Sequence, residues 1–273
     1  MIGHEANPET GAGPTGAAAG GRGTARADGV EREFARVGVR LLRPAVVSAM
    51  FAVTSVRGIR WVAEAPLGAW SGRPLILAAN HQSHVDTPAI LWTLPSALRR
   101  RTVVAAASDA FGFETPRPGE GAGTLFRWAI RHLVTAGFRA YPFDRRSAAP
   151  ASLELSAELL RRGWSLLMFP EGTRGHGEGV QRFKPGIGWL SLETGAPVVP
   201  VYVRGGRRVL PPGAFWPRSG RVIVRYGRPL EPHSDAEPEA FTSAVEREVR
   251  ALAGGVPPEL PSPTFVSPAE ARE

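Results

Sequence analysis

His81 and Asp86 are a pair whose side-chain types could move a proton. Histidine titrates near a pH of about 6.5, so it takes and returns a proton close to neutrality. A carboxylate beside it fixes the tautomer, steadies the imidazolium and leaves the outer nitrogen as base. The five-residue spacing sets a condition. On a regular helix five residues turn through about 500°, leaving the two side chains roughly 140° apart. They meet only where the backbone turns between them. Ser83 and Asp86 suit N-cap positions and Pro88 suits a first helical turn, so such a turn is available. A capping aspartate beside an incidental surface histidine is the plainer reading of the same residues.

The elements that must position this pair come next. Pro74–Ala79 is a short apolar run, the pattern of a buried strand. It delivers Asn80, His81, Gln82, Ser83, His84 and Asp86 at its end, where open α/β sheets place their chemistry. The arrangement recurs: Trp164–Met168 reads as a strand and delivers Phe169-Pro170-Glu171-Gly172-Thr173-Arg174. Tyr141-Pro142-Phe143-Asp144-Arg145 lies between the two blocks, and Ala196-Pro197-Val198-Val199-Pro200-Val201 follows them. Further strands are predicted at Val56–Trp61, Val103–Ala106, Phe138–Phe143, Pro197–Val203 and Arg221–Tyr226. Helices are predicted over Pro88–Leu94, Leu125–Val134, Pro150–Arg162, a short stretch ending near Thr194, and Glu237–Leu252. Arg99, Arg100 and Arg101 suit a solvated helix end, with anion binding as the other reading. Gly205–Ser219 reads as a proline-rich basic loop. Strands alternating with helices predict an α/β layered fold with a mostly parallel central sheet flanked by helices. The expected organisation is a disordered tail over 1–30, an amphipathic helix over 31–54, a main domain over 55–254 and a second tail over 255–273.

Composition narrows the chemistry. The chain has 273 residues, 43% of them hydrophobic, enough for one substantial core. Cysteine is absent, which excludes disulfides, thiolate metal sites and a cysteine acyl intermediate. The formal net charge is +8, carried almost wholly by arginine, with Lys184 the only lysine. Arginine grips phosphate with a rigid fork, so an anionic partner is expected. Nothing resembles an aromatic-interleaved nucleic-acid motif, and no nucleic acid is expected. The Gly- and Ala-rich start lacks the apolar core of a signal peptide. The longest apolar stretch, Val37–Val56, is interrupted by Arg40, Arg43 and Pro44 and falls short of a membrane span. It reads as an amphipathic helix, lying in an anionic lipid interface or packed on the domain itself. The expected location is cytoplasmic, peripheral on the inner face of the cell membrane.

Taken in order, the four blocks resemble the lysophosphatidate acyltransferase (PlsC-like) family of the glycerolipid acyltransferases. Asn80-His81 with Asp86 matches that family's NHxxxxD block, and Phe169–Arg174 matches FPEGTR in full. The second block is looser, with Pro142-Phe143 where an apolar pair is usual before the arginine. The resemblance spans roughly residues 55 to 230.

The resemblance implies transfer of a fatty acyl group from an acyl thioester, acyl-CoA or acyl-carrier protein, to the hydroxyl of a lysophospholipid. No cofactor is implied. His81 would be the general base and Asp86 would orient it, with Arg174 and Arg145 gripping the acceptor phosphate. Lys184 would add a point charge, Gly172 would admit close backbone approach, Thr173 would donate a hydroxyl and Glu171 would brace the loop. Backbone N–H groups of the Asn80–Ser83 turn or of the Glu171-Gly172 turn would meet the oxyanion. The loop Asp109–Gly123 and the apolar helix after it would cover an acyl chain or simply join the core. Two other classes compete: a metal-dependent hydrolase using His81, His84, Asp86 and Glu171, and a non-enzymatic lipid-binding protein.

Overall fold

Ile76–Ala79 (β2) carries no polar residue and is buried at every position, as befits a strand covered on both faces. Its parallel neighbours are Ser165–Met168 (β5) on one side and Val198–Arg204 (β6) on the other. These three form the middle of a seven-stranded sheet in a computed structural model that describes residues 16–35, 52, 54–64, 67, 72–107, 137–144, 150–173, 179–211, 214, 216–233 and 235–254. The remaining strands are Ile59–Glu64 (β1), Thr102–Ala107 (β3), Ala140–Phe143 (β4) and Gly220–Tyr226 (β7). The order is β1-β7-β6-β2-β5-β3-β4. Every pairing is parallel except β6 with β7. The mostly parallel, helix-flanked layered sheet is the architecture expected from the strand and helix alternation.

Alternation along the strands builds two cores. Ile76 and Ala78 face one layer with Leu166, Met168 and Val198, under Pro150–Arg161 (α4), Gly186–Thr194 (α5) and Pro238–Ala253 (α7). Leu77 and Ala79 face the other with Leu167, Val199 and Val201, under Asp86–Thr93 (α2) and Ser96–Arg100 (α3). Arg99 and Arg100 occupy the last turn of α3, the solvated helix end that their spacing suggests.

Besides β1, which starts at Ile59 and not at Val56 as expected because residues 54–56 are helical, two elements depart from the sequence expectation. The tail expected over 1–30 contains most of a helix, Gly16–Ala35 (α1). Its Gly and Ala content reads as disorder, yet tertiary contacts hold it: Ala27 and Phe34 are buried. Arg162 pairs with Asp28 at 2.6 Å and with Glu31 at 2.7 Å. The Trp164 indole donates to Glu31 at 2.7 Å. Fixing helix ends this way outweighs weak intrinsic propensity. Second, the loop expected over Gly205–Ser219 begins with one helical turn, Gly206–Val209 (α6). The amphipathic helix expected over 31–54 falls mostly outside the described residues, as do the loop Asp109–Gly123, the helix after it and the tail 255–273.

Candidate active site

Because β2 and β5 run parallel in register, their ends emerge side by side. Ile76 pairs with Leu166 and Ala78 with Met168, so the residues after Ala79 and after Met168 leave the sheet at one level. This is how blocks ninety residues apart converge. Contacts confirm it: the His81 ring stacks on Phe169 with centroids 4.1 Å apart, and the His81 backbone N–H faces the Glu171 carboxyl closely enough to oppose the rise of its pKa.

Asn80 makes the exit from β2 possible. Its side chain replaces the backbone in the ladder, donating from Nδ2 to the Val203 carbonyl at 3.0 Å and accepting the Val203 N–H at 2.6 Å. The main chain is thereby released to turn while the strand end stays tied to β6. The turn meets the condition set by the five-residue spacing. His81 Nδ1 lies 3.1 Å from Asp86 Oδ2, and the same oxygen accepts the N–H groups of Gln82 and Ser83, both at 2.7 Å. A carboxylate oxygen already receiving two donors accepts from His81 as well, which places hydrogen on Nδ1 and leaves Nε2 as the basic nitrogen. The reading of Asp86 as a mere helix cap is set aside, since its oxygen gathers histidine and turn together.

Asp86 is fully buried, and among the described residues its Oδ1 has no hydrogen-bond partner. Opposite Oδ1 sits Gly206, where a Cβ would stand 2.2 Å from that oxygen and 3.2 Å from the Ser83 Cβ. The Ser83 hydroxyl donates to the Leu210 carbonyl at 2.8 Å, fastening α6 to the turn from its other end. The Asp86–Gly206 contact was missed in reading the sequence. The Gly205-Gly206 pair directly after a strand was its only signal.

The β5 end is built differently. Glu171 is buried, and Oε1 accepts the Gln181 N–H at 3.2 Å. Burial pushes its pKa from 4.5 up to about 7; the two backbone N–H groups and Arg250 oppose the rise, and the nearby Asp86 charge adds to it. Glu171 thus braces its loop through the Gln181 backbone. Gly172 has φ 71°, and the Lys184 side chain crosses over it so closely that a Cβ would meet Nζ at 2.9 Å. The Lys184 N–H donates to the Pro170 carbonyl at 2.9 Å, and Glu246 accepts the neighbouring Phe183 N–H at 2.8 Å. Thr173 and Lys184 are exposed at this edge.

Arg145 and Arg174 lie outside the described residues. Phe143, two residues before Arg145, ends β4, which the sheet order sets two strands from β5 and three from β2. At about 4.8 Å per strand the end of β4 is roughly 10 Å from that of β5. The N–H groups expected to serve an oxyanion are partly committed elsewhere: those of Gln82 and Ser83 to Asp86, and that of Gly172 to the Phe169 carbonyl at 3.1 Å. Among the described residues no three His, Asp or Glu side chains converge as a metal site, and His84 is exposed.

A family model described as Acyltransferase matches residues 55–204, more than half of the chain. The chain belongs to the acyltransferase family. Among its relatives, a 1-acyl-sn-glycerol-3-phosphate acyltransferase from Cocos nucifera is 26% identical over 195 residues, covering 70% of this chain and 58% of that protein. The one from Chlamydomonas reinhardtii is 28% identical over 189 residues, covering 69% and 50%. A lyso-ornithine lipid O-acyltransferase from Pseudomonas aeruginosa is 30% identical over 141 residues, covering 51% and 46%. This chain therefore spans about half to three-fifths of these relatives' length. The crystal structure of the 1-acyl-sn-glycerophosphate acyltransferase PlsC from Thermotoga maritima superposes with a TM-score of 0.55 at 20% identity, covering 87% of this chain and 95% of that one. At that identity the likeness speaks for the fold.

Proposed function

We propose that this acyltransferase moves a fatty acyl group from an acyl thioester, acyl-CoA or acyl-carrier protein, to the free hydroxyl of 1-acyl-glycerol-3-phosphate, giving phosphatidate. The observation that carries the mechanism is the His81 Nδ1 contact with the fully buried Asp86 at 3.1 Å. Nε2 takes the hydroxyl proton as the acceptor oxygen bonds to the thioester carbon. The C–S bond then breaks and the imidazolium returns that proton to the departing thiolate. General base catalysis of this kind contributes about 10²- to 10⁴-fold. Stacking on Phe169 and the Asp86 contact at Nδ1 hold the imidazole plane for the approach.

On this reading Arg174 and Arg145 bind the acceptor phosphate, and Lys184 adds a point charge above Gly172. Thr173 offers a hydroxyl at the same edge. The acceptor named for the Pseudomonas relative differs from that of the plant and algal relatives, so acceptor choice rests with groups around this edge and not with the dyad. Peripheral attachment to the inner, anionic face of the cell membrane accompanies the proposal. No helix among the described residues is long and apolar enough to cross a membrane.

The test is transfer by purified protein over a panel of lysolipid acceptors with both thioester donors. Phosphatidate from 1-acyl-glycerol-3-phosphate is expected, and His81→Ala should lower kcat by about 10²- to 10⁴-fold. Turnover unchanged in His81→Ala, or no transfer from either donor to any acceptor, rejects the reading.

A further inference from the structure

The strands flanking β6 on its far side run the other way, and this has a spatial consequence. Arg204 at the end of β6 pairs with Ile223 of β7, and Gly220 of β7 pairs with Ile59 of β1. The starts of β1 and β7 therefore point to the same edge as the end of β2, and they project past it. His81 is level with Val203, two residues beyond the Ala79–Val201 pair. Gly220 stands four residues further out on β7, roughly 13 Å above that level.

What crowns this projection is unusual for a water-facing surface. Val56 is 86% exposed and Trp216 is 59% exposed, with the Arg57 guanidinium 5.6 Å from the Trp216 ring centroid. The two segments touch, since a Cβ on Gly58 would meet Ser219 at 3.7 Å. The Arg218 N–H donates to the Val209 carbonyl at 2.7 Å, tying the rim to α6, the turn that abuts Asp86. From Arg204 to Val224 the chain carries five arginines and no acidic residue. Arg218 and Arg221 are exposed. An amphipathic ring and an aliphatic tip among guanidinium groups match an anionic lipid interface: the apolar groups enter the headgroup boundary and the charges meet lipid phosphates.

We propose that this rim, the segment at Val56-Arg57 with the β6–β7 connection around Trp216, Arg218 and Arg221, docks the protein on an anionic membrane and presents the dyad to it. The proposal rests on the lysophospholipid reading for its purpose, but its geometry is independent of it. An acidic carrier protein would engage the arginines and leave Val56 and Trp216 without a role, which is why the lipid surface is favoured.

The test uses the full chain. Partition onto phosphatidylglycerol vesicles and onto phosphatidylcholine vesicles is measured for wild type, Val56→Ser/Trp216→Ser and Arg218→Gln/Arg221→Gln. Trp92→Ser is the control, a tryptophan that also has an arginine over its ring but lies near the far end of α2. Acyl transfer is followed in parallel with acceptor in vesicles and in detergent micelles. The Val56/Trp216 pair should lose at least tenfold in partition and in vesicle turnover, with micelle turnover within about twofold. The arginine pair should lose about fivefold per arginine on anionic vesicles and nothing on neutral ones. Partition unchanged in both variants, or lost equally in Trp92→Ser, overturns the proposal. So does an arginine pair that keeps its vesicle partition but raises the KM for an acyl-carrier protein donor, since the rim would then be a protein-docking face. If wild type shows no transfer even in micelles, the activity reading fails while the partition data still decide the rim.

Discussion

His81 is held by two buried carboxyl groups that reach it in opposite ways. Asp86 lies five residues along the same turn, grips the ring, and concentrates three donors on one oxygen. Glu171 arrives from the neighbouring strand, faces the His81 backbone N–H and accepts that of Gln181, while burial drives its pKa to about 7. The first arrangement is local and gathers its donors on one oxygen; the second is assembled by the sheet, and its burial favours a proton. The difference divides their tasks: Asp86 sets the chemistry of the imidazole, and Glu171 sets where the imidazole stands.

The sharpest way to break this division is Asp86→Asn. An amide keeps one acceptor oxygen, so if it stays at the Oδ2 position the NH₂ is buried against Gly206, with no acceptor in the place of Oδ1. If the amide flips, NH₂ faces three donors. Either way the imidazolium loses its counter-charge, and kcat should fall about 10²- to 10⁴-fold with acceptor KM little changed. Steady-state kinetics over acceptor concentration checks this. A fall in kcat under tenfold would show that Asp86 shapes the turn and does no more.

Gly206→Ala should come next. Its Cβ would stand 2.2 Å from Asp86 Oδ1, so either the carboxylate or α6 must move. A displacement of about 1 Å at a reacting group costs about 10²-fold. The mutation repeated in an Asp86→Ala background, where the opposing oxygen is gone, should cost little further. An equal loss in both backgrounds would assign Gly206 to the fold alone.

The division also explains what could be read from the sequence. The His81–Asp86 pair was legible because its spacing and capping residues lie within one turn, and the strands were legible from apolar runs or from alternation, although β1 starts three residues later than its alternation suggests. The meeting of the Phe169–Glu171 block with His81 was only half visible: FPEGTR marks a strand end, but which strand stands beside β2 is decided by the order of the sheet. Gly206 reaches Asp86, and the Val203 backbone reaches Asn80, from more than 100 residues away, and no periodicity encodes that approach. Helix α1 was invisible for another reason. Its stability comes from Arg162 and Trp164, which a composition of Gly and Ala does not announce.

Asn80→Ala tests the tie between the two halves at an intermediate size. It removes both hydrogen bonds to Val203 and strands that buried N–H and carbonyl, a cost of about 2–4 kcal/mol. Urea unfolding should show the loss, with kcat lowered through a looser turn. Loss of activity at unchanged stability would instead mean that Asn80 serves the substrate.

The smallest effect belongs to Glu171→Gln, and it has a definite sign. The folded pKa of Glu171 is raised from 4.5 to about 7. Between these values the folded state holds a proton that the unfolded state has released, so stability falls as pH rises through the window and levels off above it. Glutamine keeps an acceptor for the Gln181 N–H group but cannot ionise, so this share of the pH dependence should vanish. Other titrating groups act equally on both proteins, so the variant should gain on wild type by on the order of 2 kcal/mol from pH 5 to pH 8. Urea unfolding at the two pH values measures that gain, and kcat at pH 6 should change by less than about threefold because the dyad is untouched. A gain of the opposite sign would mean that Glu171 carries its charge in the folded state, so that burial does not set its pKa and the contrast between the two carboxyl groups is lost.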